Sequence, residues 1–190
     1  MQKLELARQL QQRLQAVLDT VEREFQPLAP EQLAWKPAPG RWSIIECLQH
    51  LNLAERFYIR NIQHKSDQLG LVQHNPTDQT VSQGLVGKAL MYAVDPQAKI
   101  KLPAPSVVQP RRDLDVPSVL AQFVELQKLL LQLLDRAVYY DWNTTQLPTL
   151  FGNWLKIRMG DAFQMLVAHT ERHLAQAMRV RNEAHFPALP

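Results

Sequence analysis

The chain has 190 residues, 46% of them hydrophobic, with no composition shift or Gly/Ser tract to mark a boundary, so a single domain over residues 1–190 with one packed core is expected. Lys and Arg (21) exceed Asp and Glu (18) only slightly, and no Lys/Arg run tracks a phosphate backbone, which argues against nucleic acid as a partner despite a pI of about 9.1.

The first residues, Met1-Gln2-Lys3-Leu4-Glu5, are charged and amphipathic and lack the apolar stretch of a signal peptide. No later stretch is apolar over a membrane-spanning length, so the expectation is a cytoplasmic protein without a membrane partner. Leu4, Leu10, Leu14, Val17, Leu18, Val21 and Phe25 recur at helical spacing and define a first helix that stops before the Pro-rich residues 27–39. Ser43 followed three residues later by Glu46 is a capping box, which predicts a second helix from near Trp42 to about Gln63. That helix carries Cys47, the only cysteine, which excludes an intramolecular disulfide and a zinc ribbon.

Residues 65–117 hold turn-formers and the prolines Pro76, Pro96, Pro103, Pro105, Pro110 and Pro117, and read as a long crossover with one short helix over residues 81–93. A third helix is expected from about Val116 to Tyr139, with Val119, Leu120, Phe123, Leu126 and Leu130 on its apolar stripe, and a fourth from about Ile157 to Asn182. Strand alternation is scarce. The expected fold is therefore all-α, a four-helix bundle with a long crossover between helices two and three, a scaffold that builds metal sites from inward side chains on facing helices.

Three histidines could meet in such a bundle. His169 and His173 are four residues apart, so on a helix their imidazoles share one face, one turn apart, where they can chelate one ion. At about 100° per residue, both fall within the apolar arc of Met159, Ala162, Phe163, Leu166, Ala177 and Val180 and point toward the core. A single inward histidine reads as a core residue with one hydrogen bond. Two stacked imidazoles are different, because their inward nitrogens need a partner that a divalent ion supplies to both. His50 lies at the flank of its helix's apolar face, placed to reach a neighbouring helix. Glu171 does not make this a zinc-protease motif: it stands two residues after His169, roughly 200° around the helix, and reads as a solvated charge.

The residues also carry a resemblance. Trp42-Ser43 opening a helix with a histidine eight residues after the Trp, then Leu147-Pro148 with Phe151-Gly152-Asn153-Trp154, then the terminal run His169-Thr170-Glu171-Arg172-His173-Leu174-Ala175-Gln176, resemble the DinB-like (DinB/YfiT) superfamily of bacterial metalloenzymes. The resemblance spans nearly the whole chain. It implies a four-helix bundle, frequently a homodimer, with nickel, zinc or a similar divalent metal held by His50, His169 and His173. It also implies a small-molecule substrate without specifying the reaction: such proteins include thiol-dependent S-transferases and isomerases that use low-molecular-weight thiols, alongside many without a known activity.

Three neutral imidazoles leave a divalent ion at least one open position, the pattern of catalytic sites. Water there would be acidified toward a pKa of about 7, and a thiol would be held as thiolate. A thiol-dependent S-transferase is favoured on the resemblance; a metal-dependent hydrolase, or a non-catalytic small-molecule-binding or dimerisation module, are the alternatives. The other candidates read blandly. Cys47 is expected in the core, Glu46 as a cap, Trp42 and Trp154 as core plugs near helix ends, and His64, His74 and His185 as solvated. Glu55 falls inside its helix's apolar arc, where it either pairs with an inward Arg, the favoured reading, or lies near the site.

Overall fold

The computed structural model describes residues 1–70, 79–95 and 105–188. Among them are six α-helices and one two-stranded sheet: α1 Lys3–Glu24, α2 Pro30–Ala34, α3 Ile44–Leu69, α4 Leu85–Val94, α5 Val116–Ala137, β1 Gln146–Thr149, β2 Gly152–Arg158 and α6 Met159–Arg181. The protein is mainly helical, as expected, and the four long expected helices are α1, α3, α5 and α6. α3 packs along both α5 and α6, and α1 against the same two. Among the described residues no helix is long and apolar enough to cross a membrane.

The capping box works as the sequence implies. Ser43 Oγ accepts from the Glu46 amide at 3.3 Å, and Glu46 Oε2 accepts from the Ser43 amide at 2.8 Å, so two of the amides left free at a helix start are satisfied. α3 runs past Gln63 to Leu69 because Ile59, Ile62 and Ser66 continue its buried stripe, and Gly70 ends it at φ 66°. Asp115 caps α5, with Pro117 in the first turn. The Pro-rich stretch before α3 holds a helical turn the pattern did not suggest, α2, started by Pro30 and tied down by Gln32, whose side chain accepts from the Ala29 amide.

The crossover helix expected over residues 81–93 is α4. It starts four residues late, and the Val81 amide is bonded instead to the Met1 carbonyl. α4 docks on α6, where Asp161 Oδ2 accepts from the Gly84 amide at 2.9 Å. Gly87 permits that approach, since a Cβ there would overlap the Asp161 carboxyl. The rest of the crossover, including His74, lies partly outside the described residues.

The hairpin corrects the sequence reading, which placed no strand. β1 and β2 pair antiparallel, Gln146 opposite Arg158 and Leu147 opposite Ile157, with an irregularity between Pro148 and Thr149. Gly152 makes the reversal at φ 124°, a conformation side-chain-bearing residues rarely adopt. Trp154 is not a core plug: it lies on the outward face of β2, 79% exposed.

Two apolar clusters fill the interior. One joins Leu6, Leu10 and Leu14 with Ile59, Ile62, Leu130, Leu134, Phe163 and Leu166; the other joins Val17, Val21 and Phe25 with Ile44, Leu48, Leu51, Phe123, Leu174 and Ala177. Each fully buried aliphatic or aromatic side chain contributes about 1.5–3 kcal/mol. Between the clusters lie buried polar residues, Asn52 and Glu55 on α3, Gln127 on α5 and Thr170 on α6. Cys47 is buried in the second cluster as expected, its thiol pushed up to about 12 chiefly by burial.

A histidine cluster as candidate metal centre

α3 and α6 bring His50, His169 and His173 together. One donor nitrogen from each can be chosen so that all lie within 4.8 Å of one another. The ring centroids are 4.5 Å apart for His50 and His173, 4.7 Å for His169 and His173, and 5.0 Å for His50 and His169. His50 and His173 are buried and His169 is half-buried. The pair on α6 results from the one-turn spacing; His50, at the flank of its helix's apolar face, meets them because that flank of α3 lies against α6.

Hydrogen bonds fix which nitrogens face inward. His50 Nδ1 is 2.7 Å from the carbonyl oxygen of Val108, which can only accept, so Nδ1 carries the proton and Nε2 a lone pair. His173 Nδ1 lies 3.0 Å from Gln176 Oε1, an acceptor that sets the same tautomer. His50 Nε2 in turn lies 3.1 Å from His169 Nε2. At that separation the two nitrogens share a proton or a cation. Nitrogens bound to one tetrahedral zinc at ~2.0–2.1 Å would stand about 3.3 Å apart, close to the separation of the His50 and His169 pair.

Electrostatics favour the neutral, ligating form of each ring. Burial lowers His50, partly opposed by its bond to Val108. Burial, then the neighbouring His173 and His50, hold His169 well below 6.5. Burial and then His50 lower His173 to about 3, the bond to Gln176 opposing. Desolvation disfavours an imidazolium, so near neutral pH all three present lone pairs.

The surroundings contain residues the sequence did not single out. Val108 belongs to a short 3₁₀ helix, Ser106–Val108, in the crossover, and the Arg111 amide beyond it donates to Gln49 Oε1. Gln176 carries no role in the sequence reading, although its spacing from His173 places it one turn on. A backbone carbonyl such as Val108's leaves no sequence signal at all. Trp42, expected as a core plug, is half-buried with its indole over the rings of His50 and His173, at 5.1 and 5.8 Å. Beside the site, Arg172 donates to the carbonyls of Ala93 and Asp95 and so ties the end of α4 to α6.

Other candidates are elsewhere. His64 and His185 are exposed and outside the cluster. Glu46 caps α3 as expected and also pairs with Lys36. Glu171 is not simply solvated: both its oxygens take bonds from Arg13 of α1. Among the described residues Glu55 has no arginine partner, and its carboxyl is met by Gln127 and Thr170 instead.

The family model for the DinB superfamily matches residues 5–177, a span that contains all three histidines. No curated protein and no solved structure matches the chain. By its match over nearly all its length, the chain belongs to the DinB superfamily.

Proposed function

We propose that His50, His169 and His173 hold one divalent metal ion, nickel or zinc, and that the protein is a metal-dependent enzyme that transfers a low-molecular-weight thiol to a small electrophilic substrate. In this reading α1, α3, α5 and α6 form a four-helix bundle whose long connection between α3 and α5 supplies the Val108 carbonyl to the site. The supporting observation is the convergence of three ring nitrogens within 4.8 Å, two with tautomers set by acceptors behind them. Membership of the DinB superfamily agrees with it.

When bound, a divalent ion on three neutral imidazoles would keep a position open and hold a thiol as its thiolate at neutral pH. The chain's own groups prepare the site. Val108 and Gln176 orient two imidazoles and raise their basicity as ligands, and the half-buried indole of Trp42 covers one side of the rings against water. The test is elemental analysis of reconstituted protein, followed by turnover assays of the loaded form with several small thiols and electrophiles. A stoichiometric ion with thiol turnover that His173→Ala abolishes supports the reading. Turnover of esters or amides that needs metal and no thiol would replace it with a hydrolase.

A further inference from the structure

Glu55 lies between the two apolar clusters with none of its surface exposed. Gln127 Nε2 of α5 is 2.6 Å from its Oε2, and Thr170 Oγ1 of α6 is 2.7 Å from its Oε1, so one carboxyl on α3 ties three helices together. Neither partner is charged. The charged neighbours along these helices, Arg56 on α3 and Glu125 and Lys128 on α5, are exposed. Glu171 on α6 is bound to Arg13 of α1, Arg172 is bound to carbonyls of Ala93 and Asp95, and burial holds His50, His169 and His173 neutral. Among the described residues an ionised Glu55 would thus be a buried charge without a counter-ion, which is costly in a protein interior.

Proton counting agrees. Thr170 Oγ1 is also 2.9 Å from the Leu166 carbonyl oxygen one turn earlier, and a hydroxyl has a single proton to give. If that proton goes to Leu166, the short contact with Glu55 requires a proton from the carboxyl.

We propose that Glu55 is a neutral carboxylic acid donating to Thr170 Oγ1, and that this bond, one residue from His169, makes it a positioning residue that sets α6 against α3 so that the three imidazoles converge. The chain of donors runs from Glu55 to the Thr170 hydroxyl to the Leu166 carbonyl, with Gln127 donating to the other carboxyl oxygen. Burial drives this carboxyl up to about 7, above the lowering influence of both hydrogen bonds. The positioning role rests on the metal centre proposed above; the proton assignment does not.

The proton is read on metal-free protein by infrared difference spectroscopy between wild type and Glu55→Gln. At mildly acidic pH, wild type should show a protonated-carboxyl carbonyl band, shifted in heavy water, that Glu55→Gln lacks; absence of that band overturns the assignment. The pH dependence has a definite sign. Because the folded-state value lies above the ordinary 4.5, the folded state holds the extra proton and stability falls as pH rises from about 4.5 to about 7. Relative to Glu55→Gln, the wild-type folding equilibrium should weaken by on the order of a hundredfold over that range; parallel curves would overturn the assignment.

Nickel affinity reads the positioning. Glu55→Gln keeps a donor for Thr170 and an acceptor for Gln127 and should bind nickel as wild type does. Glu55→Ala should bind it about tenfold or more weakly; Thr170→Val, which keeps shape without the acceptor, should do the same and serves if Glu55→Ala does not fold. Unchanged affinity in Thr170→Val overturns the positioning role. Wild-type protein that binds no nickel or zinc overturns the metal centre and the positioning role together, while the infrared band still decides the proton.

Discussion

His50 on α3 and Val108 in the crossover are joined by a 2.7 Å hydrogen bond from Nδ1 to the carbonyl oxygen, and the same ring's Nε2 faces His169 at 3.1 Å. The connection between α3 and α5 is therefore part of the candidate site, since it fixes the tautomer that leaves His50 Nε2 a lone pair toward the cluster.

His173 has a comparable support in Gln176. Replacing Gln176 by Leu removes the acceptor behind Nδ1 and frees the ring to rotate or change tautomer. Metal affinity should fall by about 10–100-fold, the usual cost of losing such a partner, with the circular dichroism spectrum unchanged. Titration calorimetry with zinc or nickel checks this, and unaltered affinity would mean that Gln176 does not orient the ring.

The ligand assignment predicts a hierarchy among histidines. His50→Ala, His169→Ala and His173→Ala should each lose most of the bound ion, whereas His64→Ala and His185→Ala, at exposed positions, should keep it. Metal content after dialysis distinguishes the groups, and equal retention in all five variants would contradict the assignment.

Burial lowers all three imidazoles, His173 to about 3. In metal-free protein the unfolded chain takes up protons near the ordinary 6.5 while the folded state does not, so stability present above about 6.5 is lost as pH falls toward about 3. This slope is opposite in sign to that of Glu55. Urea unfolding at stepped pH should show a weaker acid loss in a His169→Ala, His173→Ala double variant than in wild type. Bound metal should likewise be released on acidification, as protons compete for the ring nitrogens.

The elements that meet at the site were legible to different degrees. The Ser43 and Glu46 pair marked the start of α3 because capping is local chemistry, and the spacing of His169 and His173 placed both on the inward face of α6 because helical phase is local too. The hairpin was not legible. β1 is four residues with Pro148 inside it, and only Ile157 is fully buried along β2, so the alternation in each strand is too short to announce it. Trp154 was misplaced for the same reason, since its side of the strand is known only once the strand is. Glu55 was recognised as lying in an apolar arc, but an uncharged answer to its burial required residues 72 and 115 positions away.

The hairpin offers a check on the fold that is independent of metal. Gly152 sits at φ 124° beneath the Trp154 ring, so Gly152→Ala should destabilise the protein by about 1–3 kcal/mol through backbone strain. Denaturant unfolding measures this, and a neutral effect would contradict the turn geometry.

Whether the histidine cluster is a metal centre is decided by elemental analysis of protein reconstituted with nickel or zinc and dialysed free of excess, run beside the His169→Ala, His173→Ala double variant. About one ion per wild-type chain is expected, in keeping with a three-imidazole site, and essentially none in the variant. A wild-type protein without stoichiometric metal, or a variant that retains as much as wild type, would contradict it.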